Sequence, residues 1–307
     1  RRLVRQIKPD VIDGHFVTVY GFLAACAGFH PLVVTAWGSD ILIQSKRNPL
    51  GAFLAKHCLK KADLVVCCSS SVKGEISRLG VEASKIRIIL IGVNTAEFQP
   101  MPSINKLRQK LGIGSSQPVV ISTRVLSSVY DVETLIKAVP LVLAEVPQAK
   151  FIIAGTGEQQ GYLQNLAGSL GILESVKFIG WVPRTEIPQY LSSSDIYVST
   201  SLSDGTSNCL LEAMASELAP AVTDIPANQP WIKDEENGFL FPVKDSKALA
   251  TKIMDLIKNE EKRKAFGKIS REVVQRKAEQ RIEMGKLETA YQELLAGKSK
   301  NEHHFCQ

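Results

Sequence analysis

The 307-residue chain is 45% hydrophobic and 22% charged, which suits a globular protein of two domains. It holds no run of about 18 apolar residues, which excludes a membrane-spanning helix, and Arg1-Arg2 opens without the apolar region of a signal peptide, so a cytoplasmic protein is expected. The net charge of +6 is uneven: residues 1–112 hold 16 Lys and Arg against 7 Asp and Glu, a net +9, and the rest holds 21 against 24, a net −3. A basic first part suits an anionic partner, a membrane surface or a phosphate-bearing substrate ahead of nucleic acid.

Residues 9–16 read as a short strand ending in a turn at Gly14, and residues 19–28 are helical in composition. A buried strand over 31–37 is closed by Gly38-Ser39-Asp40. A helix over about 50–61, a strand over 63–68, a helix over about 70–79 and a strand over 86–91 follow. Pro100, Pro102, Gly112 and Gly114, around a short helical piece, mark residues 99–117 as a linker. Strands over 119–123, 151–154, 176–179, 195–200 and 221–223 then alternate with helices over about 131–145, 159–170 and 185–192 and an alanine-rich helix after the 203–208 loop. A short piece at 238–241 and helices over about 246–258 and 260–296 close the chain. Such alternation predicts parallel sheets in an α/β layer architecture. The expected domains are 1–112, 113–275 and a C-terminal helix with its tail over 276–307.

The six cysteines, Cys26, Cys58, Cys67, Cys68, Cys209 and Cys306, form no Cys-x2-Cys pair and sit mostly in apolar context. Free buried thiols in a reducing compartment are expected, and a structural zinc site is not. The Lys and Arg residues are not interleaved with surface aromatics, and no nucleic-acid motif appears.

Polar and glycine residues gather after the strands: Asp13-Gly14-His15, Trp37 to Asp40, Arg124, Gly155-Thr156-Gly157, Gly180-Trp181 and Asp204 to Glu212. In doubly wound sheets ligands bind at the carboxyl ends of strands. The segment Ser203-Asp204-Gly205-Thr206-Ser207-Asn208 links a strand to a helix, so its backbone N–H groups and the helix dipole suit a phosphate. Asp204 and Glu212 are carboxylates suited to sugar or ribose hydroxyls. On the local pattern alone the same residues equally describe a capped helix with a surface Glu.

The run Asp204-Gly-Thr-Ser-Asn-Cys-Leu-Leu-Glu212-Ala-Met-Ala215 resembles the acidic-x7-acidic motif of the retaining GT-B glycosyltransferases of family 4. Ordered matches run along the chain: Asp10 to Phe16, Thr35 to Asp40, Ile91-Gly92-Val93-Asn94, Ser122-Thr123-Arg124, Ile152 to Glu158, Phe178-Ile-Gly180-Trp181-Val182, Asp224 to Asn228 and Glu236 to Leu240. The resemblance implies two Rossmann-like domains facing across a cleft. It implies a metal-independent hexosyltransferase that moves a sugar from a nucleotide diphosphate sugar, a UDP-sugar by family frequency, to an acceptor hydroxyl in polysaccharide or lipid-linked glycan synthesis. No cofactor beyond that donor is implied. Arg124 matches the phosphate-binding Arg, His15 the histidine facing the donor sugar, Asp204 the first acid and Glu212 the ribose-binding acid. Gly180, Trp181 and Val182 match the base-binding segment, and Gly205, Thr206, Ser207, Asn208 and Leu211 the donor loop. Asp40 is a candidate acceptor contact. Read as residues alone, Arg124 also fits a surface Arg at a strand end, His15 a structural histidine and Trp181 a core side chain.

The sequence departs from the family in five places, one of them Trp37, which stands where a polar residue often occurs. The usual Lys after the Arg is missing from Ser127-Ser128-Val129-Tyr130-Asp131, where Tyr130 offers a neutral hydrogen bond to the donor instead. Glu217 stands where a helix-ending Gly is usual, and Asp204 where Glu is more frequent. Family members also carry β-α units before Val11, so the first domain is expected to be shortened at its N-terminus. The segment 46–61 places Leu50, Phe53 and Leu54 near one helical face amid Lys and Arg, which suits peripheral docking at the inner membrane face, or an ordinary helix facing the core. The rival expectation is a nucleotide-sugar-binding protein without transfer activity, motivated by the shortened domain and the missing Lys. A GT-B epimerase lacks its usual carboxylate and histidine set here.

Overall fold

The computed structural model describes residues 1–101 and 104–304; Pro102 of the linker and Cys306 lie outside them. The chain divides into two units. The first comprises Arg1–Gly92, Asp204–Thr206 and the residues from Gln280 on; the second comprises Val93–Ser203 and Ser207–Glu279.

The first unit is built on a parallel sheet ordered β1-β2-β3-β4, with β1 Ile12–His15, β2 Leu32–Ala36, β3 Leu64–Cys67 and β4 Ile86–Ile88. Near-continuous apolar strands belong in a parallel sheet covered on both faces, because alternation is needed only where one face is wet. Val34, Ala36, Val65 and Cys67 pack on one face against Ala55, Cys58 and Leu59 of the helix Pro49–Lys61 and Val72 and Ile76 of the helix Ser70–Arg78. Val33, Leu64, Val66 and Ile89 on the other face meet Leu287, Ala290, Tyr291 and Leu294 of the terminal helix Gln280–His304. Gly14, expected to turn the chain, is a residue of β1. A Cβ there would lie 2.8 Å from Gly21 Cα, so the missing side chain lets the π-helical turn Phe16–Gly21 close on the strand. That turn and the short helix Phe22–Ala27 replace the single helix expected over 19–28.

The second unit holds a parallel sheet ordered β10-β9-β8-β5-β6-β7. Its strands are β5 Val119–Ser122, β6 Lys150–Ala154, β7 Val176–Gly180, β8 Ile196–Ser199, β9 Ala219–Thr223 and β10 Phe239–Phe241. The chain winds outward from β5 to β7, then returns to the other side of β5 with β8, aligning Val120 with Ile196 and Ile121 with Tyr197. That reversal makes the sheet doubly wound, with a switch point between β5 and β8. The helix Val132–Glu145 buries Leu135, Ile136, Val139 and Val142 on one face of the sheet beside Leu249, Ile253 and Leu256 of the helix Ser246–Lys258.

The expected linker is held to this unit. Arg108, on its helix Ile104–Lys110, is buried; it pairs with Asp195 at 2.9 Å and donates to the carbonyls of Ser193, Ser115 and Gln117. The contact division accordingly falls at Gly92, where the sequence suggests 112. The long helix expected over 260–296 is broken into Glu260–Lys277 and Gln280–His304. At the break the carbonyl of Ala278 accepts from Val93 N–H at 2.8 Å, and Thr95 Oγ1 donates to Glu279.

The helix Asn208–Ala215 ends with Glu217 N–H donating to Met214 O and Leu218 N–H to Ala213 O, while Glu217 takes the left-handed φ of 61°. This is a Schellman ending with Glu where Gly is unstrained. Glu217→Gly relieves a left-handed cost of roughly 1–2 kcal/mol and gives back part of it as chain entropy. A net gain of about 0.5 kcal/mol is expected, read as a raised thermal midpoint; a lowered midpoint contradicts it.

Candidate active site

The switch point of the second unit is where its polar side chains collect. Arg124 leaves the end of β5 as a buried residue, and its Nη1 donates to Ser207 Oγ at 2.7 Å. Its guanidinium carbon lies 4.0 Å above the centroid of the Tyr130 ring. Tyr130 is fixed in turn, since Thr200 Oγ1 donates to its carbonyl and Leu202 N–H to that of Val129. The departure at 130 thus supplies a π face that holds the arginine. Ser207 also accepts from Leu210 N–H and so N-caps the helix Asn208–Ala215. One hydroxyl therefore ties the β5 arginine to the start of the helix after β8. Gly155, after β6, has no room for a side chain because the Arg124 carbonyl stands where Cβ would go.

Glu212 sits on the same helix and is 7% exposed. Burial raises its carboxyl to about 7, against the lowering pull of the Arg184 ion pair at 2.9 Å. Arg184 lies in the loop after β7, its guanidinium carbon 5.4 Å from the Phe98 ring centroid. Gly180, the last residue of β7, accepts from Gly155 N–H at 2.7 Å, and Trp181 after it is 71% exposed, so it is not a core residue. Val182 is half-buried, and Asn208 opens the helix. Leu211 corrects an expectation: its side chain is fully buried and its N–H donates to Ser207 O, which makes it a packing residue of the helix.

In the first unit His15 ends β1, half-exposed, with Nε2 3.6 Å from Asp13 Oδ2 and its ring centroid 5.6 Å from that of Trp37. Asp13 is held by Thr35 Oγ1 at 2.9 Å and by Tyr291 OH of the terminal helix at 2.6 Å. Asp40 is not an acceptor contact in this structure. It is fully buried, and its two oxygens accept from Val17, Trp37, Gly38 and Ile41 N–H at 2.9–3.1 Å. Burial pushes its carboxyl above the usual range while those N–H groups pull it back. Its work is to shape the turn after β2.

The segment Asp204–Thr206 packs on that turn. A Cβ on Gly205 would lie 2.6 Å from both Cys68 Sγ and Trp37 O, and one on Gly38 would lie 2.6 Å from Gly205 Cα. Gly205 N–H donates to Asp204 Oδ1 at 2.8 Å, and Thr206 Oγ1 donates to Cys68 O at 2.7 Å. The N–H of Gly205 is thus engaged by the preceding carboxylate, and the hydroxyl of Thr206 by the carbonyl of Cys68 after β3. Cys58 and Cys67 are buried free thiols, raised by burial to about 12 and about 11, whereas Cys26 is exposed. Among the described residues no three His, Cys, Asp or Glu side chains converge on a metal site.

Sequence reading names Asp13 only within the Asp13-Gly14-His15 cluster and gives no role to Arg184, Phe98 or Tyr291. Arg184 stands two residues beyond the singled-out Val182 but 28 before its partner Glu212, and 278 residues separate Tyr291 from Asp13. No local pattern announces either pair.

Two parallel-sheet α/β domains, one doubly wound with a polar switch point, define the GT-B class of fold. The family model for glycosyl transferases group 1 matches residues 103–273, and that for glycosyltransferase family 4 matches residues 1–97. The chain belongs to the group 1 glycosyltransferase family. It is 31% identical over 208 residues to the putative glycosyltransferase EpsD of Bacillus subtilis, covering 66% of this chain and 54% of that protein. It is 27% identical over 262 residues to the Escherichia coli UDP-Gal:alpha-D-GlcNAc-diphosphoundecaprenol alpha-1,3-galactosyltransferase, covering 80% of this chain and 65% of that one. The chain thus spans between half and two thirds of these relatives. Among solved structures, Anabaena HepE in complex with UDP and glucose superposes with a TM-score of 0.86 at 24% identity, over 95% of this chain and 81% of HepE.

Proposed function

We propose that this chain acts as a retaining, metal-independent hexosyltransferase, moving a sugar from a UDP-sugar to an acceptor hydroxyl in polysaccharide or lipid-linked glycan synthesis. The observation that carries the reading is the arginine fixed at the switch point beside the N-terminus of the helix that bears buried Glu212. A guanidinium fork and a helix start suit a diphosphate, and a carboxylate on that helix suits ribose hydroxyls. The relatives' names add support: HepE binds UDP and glucose, and the galactosyltransferase uses a lipid-diphosphate acceptor.

The proposed reaction breaks the bond between the anomeric carbon and the diphosphate oxygen and forms one to the acceptor oxygen on the same face. The acceptor's proton goes to the departing diphosphate, whose charge Arg124 meets in place of a metal. The roles proposed for His15 and Asp204 are those the resemblance implies, steadying charge on the sugar and binding its hydroxyls. Incubation with UDP-sugars and polyprenyl-diphosphate glycans tests the reading, with the anomeric configuration of the product read by NMR. Turnover with retention supports it; UDP binding without hydrolysis or transfer favours a binding protein instead.

Peripheral attachment to an anionic membrane is proposed for the same protein. No helix among the described residues is long and apolar enough to cross a membrane. On Pro49–Lys61, however, Leu50 is 64% and Phe53 61% exposed, among exposed Lys46, Arg47, Lys56 and Lys60. Leu54 is half-buried and adds less than the spacing suggested. Binding to anionic but not zwitterionic phospholipid vesicles is expected, weakened roughly tenfold by Phe53→Ser, the loss of one buried aromatic. Equal binding of the two proteins, or none by either, overturns it.

A further inference from the structure

Glu212 is a carboxylate in an adverse setting. It is 7% exposed, and burial dominates its environment. Among the described residues, the charged and titratable groups that act most clearly on it are Arg184, which favours the ionised form, Glu97, which opposes it, and the buried hydroxyl of Tyr197 nearby. Arg184 is thus the one cationic group among them. Its Nη1 holds Oε1 at 2.9 Å, and among the described residues Oε1 is the oxygen engaged. The guanidinium lies beside the fully buried Phe98 ring, and Phe98 is itself held through its carbonyl by Arg271 Nη1 at 2.9 Å. A planar cation against a fixed ring has a restricted approach, which a flexible ammonium does not reproduce.

We propose that Arg184 is a positioning residue for donor recognition: it keeps buried Glu212 ionised and holds Oε1, leaving Oε2 for the vicinal hydroxyls of a ribose. This rests on the nucleotide-sugar reading above. Hydrogen bonds to a charged acceptor are roughly twice as strong as neutral ones, so the protonation state of Glu212 sets donor affinity. With its carboxyl raised to about 7, Glu212 protonates, and loses grip on a diol, as pH falls through about 7. Removing Arg184 removes a lowering influence and moves that loss to higher pH. The guanidinium is 56% exposed, so its pull is partly screened and weakens with salt.

Two measurements on the full chain test this. Carboxyl carbon NMR of ligand-free protein, with Glu212 assigned through Glu212→Gln, is expected to show a midpoint near 7 that rises by about one pH unit in Arg184→Met and is only partly restored in Arg184→Lys, which keeps the charge without the planar fork. Calorimetry with UDP is expected to show affinity falling below that midpoint in wild type. In Arg184→Met the affinity at pH 7 is about fivefold weaker, because a midpoint moved from about 7 to about 8 cuts the ionised fraction at pH 7 from about one half to about one eleventh, and in Glu212→Gln it is flat with pH. A wild type that binds UDP and an Arg184→Met variant with the same midpoint and affinity overturn the role of Arg184 and leave the donor reading standing. A wild type that binds no UDP at any pH overturns the donor reading, and this proposal with it, even if the NMR midpoint moves.

Discussion

Replacing Arg124 with alanine is expected to lower transfer or donor hydrolysis by at least about 10²-fold, mostly in kcat, as does loss of one group that meets transition-state charge. The expectation follows from where Arg124 is anchored. It leaves the central strand β5 at the switch point, is braced by the Tyr130 ring at 4.0 Å and is tied by Ser207 Oγ at 2.7 Å to the helix carrying Glu212. Charge grows on the leaving diphosphate as the sugar bond breaks, so a fixed cation there stabilises the transition state more than the bound donor. The expected Lys after the arginine is absent, and Tyr130 braces the arginine without adding charge, which concentrates the effect on Arg124. Arg124→Gln keeps a donor for Ser207 without the charge and should fall nearly as far, which separates lost charge from a lost anchor. Arg124→Lys keeps the charge but loses the fork and the stacking plane, and is expected to recover only part of the rate. Initial rates on variants with unchanged thermal midpoints decide the matter. A rate for Arg124→Gln within about threefold of wild type would falsify the assigned role.

The alternation of strands and helices was legible because each strand is a short apolar run bounded by Gly, Pro, Asp or Ser, as in Val119–Ser122 and Ile196–Ser199. The strand-loop-helix at 199–215 stood out for the same reason, and with it Arg124, Ser207 and Glu212, which the second unit brings to one switch point. What was not legible depends on partners far along the chain. Ala278 lies between good helix formers, and the break there answers to Val93, which is 185 positions upstream by its numbering. The bond of Arg184 to Glu212 joins the loop after β7 to the helix after β8, elements 28 residues apart that no local pattern pairs. Gly14 looked like a turn because glycine permits one, whereas here it permits the close approach of Gly21. Asp40 followed a Gly-Ser pair after a strand, a pattern shared by exposed binding loops and buried turn-formers. Only the direction of the side chain separates those two, and composition does not carry it.

Asp40→Ala is expected to destabilise the first unit by about 3–5 kcal/mol, the largest stability effect expected at any single site. The carboxylate is fully buried and accepts from Val17 at 2.9 Å, Gly38 at 2.9 Å, Trp37 at 3.1 Å and Ile41 at 3.1 Å. Ile41 N–H also reaches the Gly38 carbonyl at 3.0 Å, so three donors lose their acceptor on substitution. An unpaired buried donor costs about 1–3 kcal/mol, and a water drawn into the vacated space offsets part of the sum. The three donors lie on two segments, the turn after β1 and the turn after β2, so their loss frees both. Asp40→Asn retains one acceptor oxygen but aims an amide at N–H groups, and about half the effect is expected from it. Urea denaturation reads the loss as a lowered midpoint with an unchanged m value. Amide exchange at Val17 and Gly38 should quicken before exchange at Val65 of the central strand β3, because the turns open first. If Asp40→Ala unfolds within about 1 kcal/mol of wild type while those amides stay protected, Asp40 does not hold the turn, and its return as an acceptor contact has to be considered.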